Sequence, residues 1–176
     1  TALKKEPGIR AVVIVSPTYD GVVSDVEAIA EAVHEEGIPL IVDGAHGAHF
    51  GFHAYFPEHS NVQGADLVIN SLHKTLPSLT QTALLHMNGS LVCRERVRRY
   101  LHMLQSSSPS YLLMASIDSC TDLLEHRRAE LFGPYVERLI RLRAELACLE
   151  KLQLIETERY DRSKVMISVR NTDISS

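Results

Sequence analysis

Two short β-branched runs with an amphipathic segment between them constrain the fold more than any other feature. Arg10-Ala11-Val12-Val13-Ile14-Val15 ends at Ser16-Pro17-Thr18, and Pro39-Leu40-Ile41-Val42 ends at Asp43. Each reads as a buried strand, because unbroken Val and Ile suit a sheet covered on both faces. Between them Tyr19-Asp20-Gly21 supplies a turn. Ser24 or Asp25 can cap a helix with Glu27 in its first turn, and Val26, Ile29, Ala30 and Val33 recur at helical spacing. Gly37 stops that helix and Pro39 follows it. Residues 10–42 therefore form a βαβ unit, which demands a parallel strand pair and implies a right-handed crossover.

The same reading continues along the chain. Ala65-Asp66-Leu67-Val68-Ile69-Asn70 is a third strand and Thr82–Met87 a fourth, with Asn88-Gly89 predicted as a hairpin turn into Ser90-Leu91-Val92. Val97, Leu101 and Leu104 mark a helix, and Ser106–Ser110 breaks it. A helix from Tyr111 to about Leu124 is expected, then a long amphipathic one from Arg127 to Leu149. Leu131, Tyr135, Leu139, Leu142 and Leu146 would form the apolar stripe of the latter. Lys164–Val169 reads as a last strand, followed by a polar tail. The fold class is α/β, a mostly parallel sheet flanked by helices. Residues 1–150 form one domain and 151–176 the start of a second. Because the last strand has few partners in the sequence, the chain reads as an internal piece of a longer protein.

Composition narrows the function classes. With 45% hydrophobic and 23% charged residues the chain is globular. A net charge of −4 offers no basic surface for nucleic acid, and Arg94–Arg99, interrupted by Glu95 and Val97, suits a solvated helix face. No apolar run reaches the ~18 residues of a membrane span, so no membrane partner is expected. Cys93, Cys120 and Cys148 are isolated, which fits reduced thiols and a cytoplasmic location. His46, His49 and His53 invite a zinc reading, but they stand among glycines after a strand, without the Glu of a zinc-protease helix; no metal is expected.

The chemistry concentrates where strands end. Asp43-Gly44-Ala45-His46-Gly47 closes the second strand and Ser71-Leu72-His73-Lys74-Thr75 the third. Carboxyl ends of neighbouring strands are where open α/β sheets bind ligands. Lys74 alone would be a surface lysine, and Asp43 a cap or a salt-bridge partner. Together they are the pairing pyridoxal phosphate needs: an acid to keep a pyridinium protonated and an amine to form a Schiff base. Such an amine must be neutral, which nearby positive charge or burial favours. Ser71 can be a strand-end cap or, with His73, a phosphate donor. Ser16 and Thr18 end the first strand at the same sheet edge, within possible reach of the ring's phenolic oxygen.

The segments Asp43-Gly44-Ala45-His46-Gly47-Ala48-His49-Phe50 and Ser71–Gln81 resemble the bacterial ornithine/lysine/arginine decarboxylases, which are fold-type-I, pyridoxal-phosphate-dependent enzymes. Ser16–Gly21 and Ser106–Tyr111 look similar to further segments of that family. The resemblance is dense over residues 10–125. It implies that Lys74 is the Schiff-base lysine, that Asp43 pairs with the pyridinium nitrogen, and that Ala45 packs on a ring face. It further implies that Ser71 and His73 help hold the phosphate, that His46 sits by the reacting groups, and that a serine of 106–108, Ser107 in the middle, reaches the cofactor of a partner subunit in a homodimer or larger homo-oligomer. Gly44 stands where relatives often carry a larger or acidic residue. In the family, the phosphate loop and the ring-stacking aromatic precede the segment corresponding to residue 1.

The expected activity is decarboxylation of a basic amino acid (lysine, arginine or ornithine) to its amine. The alternatives are another reaction on the same cofactor, such as aminotransfer, or a non-catalytic fragment or assembly module. This chain alone is expected to be inactive.

Overall fold

The computed structural model describes residues 2–6 and 8–170. In chain order the elements are α1 (Ala2–Lys5), β1 (Val12–Val15), α2 (Val26–His34), β2 (Leu40–Asp43), β3 (Leu67–Ser71), α3 (Leu72–Thr75), β4 (Ala83–Met87), α4 (Arg94–Leu104), α5 (Tyr111–Ala147), β5 (Gln153–Leu154) and β6 (Ile167–Ser168). The sheet order is β1-β2-β3-β4; the first three strands run parallel and β4 lies antiparallel to β3. This is the α/β, mostly parallel arrangement that the patterning predicts.

Asp25, not Ser24, caps α2, its carboxylate accepting the Ala28 N–H at 3.2 Å. The helix buries Val26, Ala30 and Val33 against Leu40, Val42 and Val68 of the sheet. Each of these valines and Leu40 contributes about 1.5–3 kcal/mol on leaving water. Strand pleating puts Val12 and Ile14 on this face and Val13 and Val15 on the other. There the reading of β1 as buried on both faces is corrected: Val13 is 64% exposed and Val15 52%. No helix of the described residues covers that face. In register, Val15, Asp43 and Ile69 lie side by side, so the Asp43 side chain stands on the open face.

A second core gathers Phe50, Phe56, Leu72 and Leu76 under Cys120, Leu124, Phe132, Val136 and Leu139. The five residues from Cys120 onward belong to α5, which corrects two expectations. The helices predicted around 111–124 and 127–149 are one continuous 37-residue helix, which tolerates Pro134 within it. Glu125-His126 contains nothing that stops a helix. The buried stripe is Phe132, Val136, Leu139 and Arg143, whereas Leu131 and Leu142 are exposed. Choosing apolar residues alone misplaces the stripe because an arginine occupies one of its positions.

The hairpin turn expected at Asn88-Gly89 does not form: the chain bends at Gly89, with φ +64°, and no strand follows. The Asn88 amide instead donates to Ala65 O at 2.9 Å and Asn61 Oδ1 at 3.0 Å, tying the end of β4 to the loop before β3. The predicted last strand shrinks to Ile167–Ser168, paired with Gln153–Leu154 in a separate two-stranded ladder. The polar tail lies outside the described residues from 171 onward. Residues 159–161 return to the loop after β1: Val23 N–H donates to Arg159 O at 3.1 Å and Asp161 N–H to Gly21 O at 2.8 Å.

Candidate active site

Three parallel strands end together, and their last residues carry the chemistry. Asp43 closes β2 and Ser71 closes β3; Lys74 follows on the single turn α3. Gly47 is required where the loop after β2 crosses the loop after β1. A Cβ there would lie 2.6 Å from Pro17 Cδ. Asn70, buried in β3, donates its amide to Gly44 O at 2.8 Å, and its oxygen accepts from His59 Nε2 at 3.0 Å. His59 thus helps hold the segment after Asp43.

Lys74 Nζ lies 3.3 Å from His46 Nε2. The two residues predicted to flank the reaction are therefore in hydrogen-bonding contact across the two strand-end loops. Burial, then the ammoniums of Lys74 and Lys164, push the His46 imidazole below its ordinary 6.5, and the Asp43 carboxylate opposes them. A neutral His46 can accept a hydrogen bond from the lysine. Tyr19 meets the His46 ring edge-on at 5.3 Å between centroids. The Asp43 Oδ1 accepts the Ala45 N–H at 3.1 Å, and no hydrogen bond among the described residues reaches Oδ2. A protonated ring nitrogen would fit that unused oxygen, so the donor set suits pyridoxal phosphate.

The other predicted residues are placed less centrally. Ser71 occupies the cap position of α3 without a side-chain cap bond. His73 Nδ1 donates to Thr82 O at 2.9 Å, which anchors α3 to the loop before β4. Ser16 is buried, its Oγ accepting the Ser24 N–H at 3.1 Å, and Thr18 Oγ1 accepts the Val22 N–H at 3.1 Å. Both hydroxyls brace the loop after β1. Ser107 is exposed in the connection between α4 and α5, with no hydrogen bond to the Asp43–Lys74 group. His46 contacts Lys74 and His49 contacts Asp161, and among the described residues no three His, Cys, Asp or Glu side chains converge.

Sequence reading missed a second layer. His49 is buried and donates from Nε2 to Asp161 Oδ1 at 3.2 Å; Asp161 is fully buried. Burial pushes the Asp161 carboxyl up, but the His49 and Ser163 hydrogen bonds outweigh it and hold it below the usual carboxylate range. A cavity of about 530 Å³ opens beside it, lined by Lys74, Thr75, His49, Ser163 and Lys164 and walled by apolar side chains of α5. A pair 112 residues apart leaves no local pattern in a sequence.

The sequence matches the family described as Orn/Lys/Arg decarboxylase, major domain, over residues 1–166. The chain belongs to this family. An arginine decarboxylase of Halalkalibacterium halodurans is 35% identical over 182 residues, covering 99% of this chain and 37% of the relative. The uncharacterized protein YaaO of Bacillus subtilis is 45% identical over 126 residues, covering 71% of this chain and 26% of that protein. This decarboxylase-family chain thus spans well under half the length of those relatives. Its fold is that of the Escherichia coli constitutive lysine decarboxylase, with a TM-score of 0.66 at 24% identity over 82% of this chain and 22% of the other. A NifS-like protein from Rickettsia africae shares the fold at a TM-score of 0.65 and 16% identity, over 93% of this chain and 45% of that one.

Proposed function

We propose that the full-length protein decarboxylates a basic amino acid with pyridoxal phosphate held by this chain's Lys74 and Asp43. The observation that supports the reading best is the 3.3 Å contact of Lys74 Nζ with His46 Nε2, beside a strand-end carboxylate with one oxygen unused. When bound, the cofactor supplies an electron sink for the carbanion left as CO2 departs. Asp43 holds the ring nitrogen protonated, which keeps that sink strong. Lys74 would hold the cofactor, and its amine, when free, could deliver a proton to Cα. His46, kept neutral, accepts and returns the lysine's proton at Nε2. Ala45, Ser71 and His73 line the ring and phosphate, with smaller parts for Ser16, Thr18 and Ser107.

In this reading residues 1–150 belong to the cofactor-binding domain and 151–176 begin the next. The protein works in the cytoplasm as a homodimer or larger homo-oligomer, and the isolated 176-residue chain is inactive. The test is product analysis: full-length protein with cofactor and lysine, arginine or ornithine should release CO2 and the corresponding amine in equal amounts. A keto acid without CO2 would replace the reading by aminotransfer, and no reaction with any of the three would overturn it.

A further inference from the structure

A loop near the end of the chain is fixed around one buried carboxylate. Asp161 Oδ1 accepts His49 Nε2 and, at 2.9 Å, the Ser163 N–H. The Lys164 N–H closes the turn onto Asp161 O at 3.0 Å. From α5, Arg143 donates to Arg162 O at 3.1 Å and Lys164 O at 2.7 Å, and it also pairs with Glu156. With so many bonds, residues 161–164 form a rigid mount, and what it mounts is Ser163 and Lys164 on the wall of the Lys74 cavity.

Lys164 is the informative residue. Its ammonium lies 6.0 Å from the centroid of the Tyr19 ring, the ring that contacts His46, which in turn contacts Lys74. It is half-buried, and it has no carboxylate partner among the described residues. No Asp or Glu of the described residues lines the cavity; its polar lining is Lys74, Lys164, Ser163, Thr75, His49 and Tyr135. The Thr75 hydroxyl is buried there without a hydrogen-bond partner, whereas His49 Nδ1 and Asp161 Oδ2, equally unpartnered, are acceptors, since His49 donates from Nε2. A half-buried lysine with no carboxylate partner favours an anion, and an apolar cavity into which Lys74, Lys164, Ser163 and Thr75 bring donors suits a carboxylate group on a partly apolar ligand. It does not suit a cationic side chain.

We propose that Lys164, carried by the Asp161-centred turn, anchors the α-carboxylate of the amino-acid substrate, while the substrate's cationic end lies outside this cavity. The assignment rests on the decarboxylase reading. It makes Lys164 a specificity residue: the Cα–carboxylate bond breaks, CO2 leaves, Cα takes the proton, and the amine product loses its anchor. Because the contact is made in the bound substrate and not strengthened as charge leaves the carboxylate, it acts on KM more than on kcat.

The test uses full-length, cofactor-loaded protein with Lys164→Met and Lys164→Arg, and whichever pair it turns over, such as arginine with agmatine or lysine with cadaverine. Lys164→Met should raise the amino-acid KM about 10- to 100-fold. KM should rise by more than kcat falls, inhibition by the amine should stay within about twofold, and Lys164→Arg should restore most of the affinity. An unchanged KM, or equal weakening of amino acid and amine, overturns the assignment. Acetylation mapping of the unsubstituted protein decides the matter should the Met variant misfold: the amino acid, but not the amine, should shield Lys164, and equal or absent shielding refutes it. Pyridoxyl labelling of Lys74 separates the two ideas. Labelled Lys74 with unchanged KM sinks only the carboxylate anchor; unlabelled Lys74 sinks the decarboxylase reading itself.

Discussion

The contact with Lys74 helps set the protonation state of His46. Burial and the neighbouring ammoniums disfavour the imidazolium, so His46 stays neutral around pH 7 and is free to take the lysine's proton. Followed by NMR in the full-length protein, the His46 ring should titrate below 6.5, and Lys74→Ala should move its midpoint upward. A midpoint at or above 6.5 would contradict the proton-transfer role. Asp43→Ala should leave weakened cofactor binding and lower turnover by about 100-fold or more, as loss of one member of a charge pair does; near-normal turnover would remove Asp43 from its role. The strand-end placement of Asp43, His46 and Lys74 was legible in the sequence, because β-branched runs mark where the strands stop. Lys164 was not, since its place depends on a return of the chain across the loop after β1.

At the scale of elements, the strands were the most readable part and the helix boundaries the least. A β-branched run of four residues identifies itself, but β1's open face is decided by what packs on it and carries no mark in its own residues. The stripe of α5 was misplaced for the same reason: Arg143 is buried because the carbonyls of Arg162 and Lys164 and the carboxylate of Glu156 satisfy it. The His49–Asp161 pair joins the loop after β2 to the Lys164 turn. Asp161→Ala should destabilise the protein by about 3–5 kcal/mol, measured as a shift in denaturant midpoint, because it leaves the buried His49 and the Ser163 N–H without their acceptor. A shift below about 0.5 kcal/mol would show the pair to be dispensable.

Acid should loosen the contact between β4 and the loop before β3. Burial depresses His59 and His86, whose rings meet edge-on at 5.6 Å. The unfolded chain then binds more protons than the folded one once pH falls below about 6.5, so stability is present above that range and declines as pH falls through the depressed folded values. Asp161, held below its ordinary value, adds a second loss at much lower pH, below about 3.8. Urea midpoints should therefore fall from pH 7 to pH 5, and His86→Phe should flatten that slope. An unchanged slope in the variant would remove His86 from the effect.

For the whole molecule, the open sheet face and the relatives' length belong together. The decarboxylase relatives are more than twice as long as this chain, and the face bearing Val13, Val15 and Ile69 has no cover among the described residues. The full-length protein is predicted to bury it. Val15→Lys should then cost the full-length protein about 2 kcal/mol or more; an unchanged melting temperature would mean that the face stays in water. Asp43 stands on this face, so its cover also closes one side of the site.

The central claim is that Lys74 carries the cofactor. The most direct measurement is borohydride reduction of the full-length protein with pyridoxal phosphate present, followed by peptide mass mapping. A single pyridoxyl adduct on Lys74, absent in Lys74→Ala, is the predicted result. Scattered labelling, or an adduct on another lysine that survives Lys74→Ala, would contradict it.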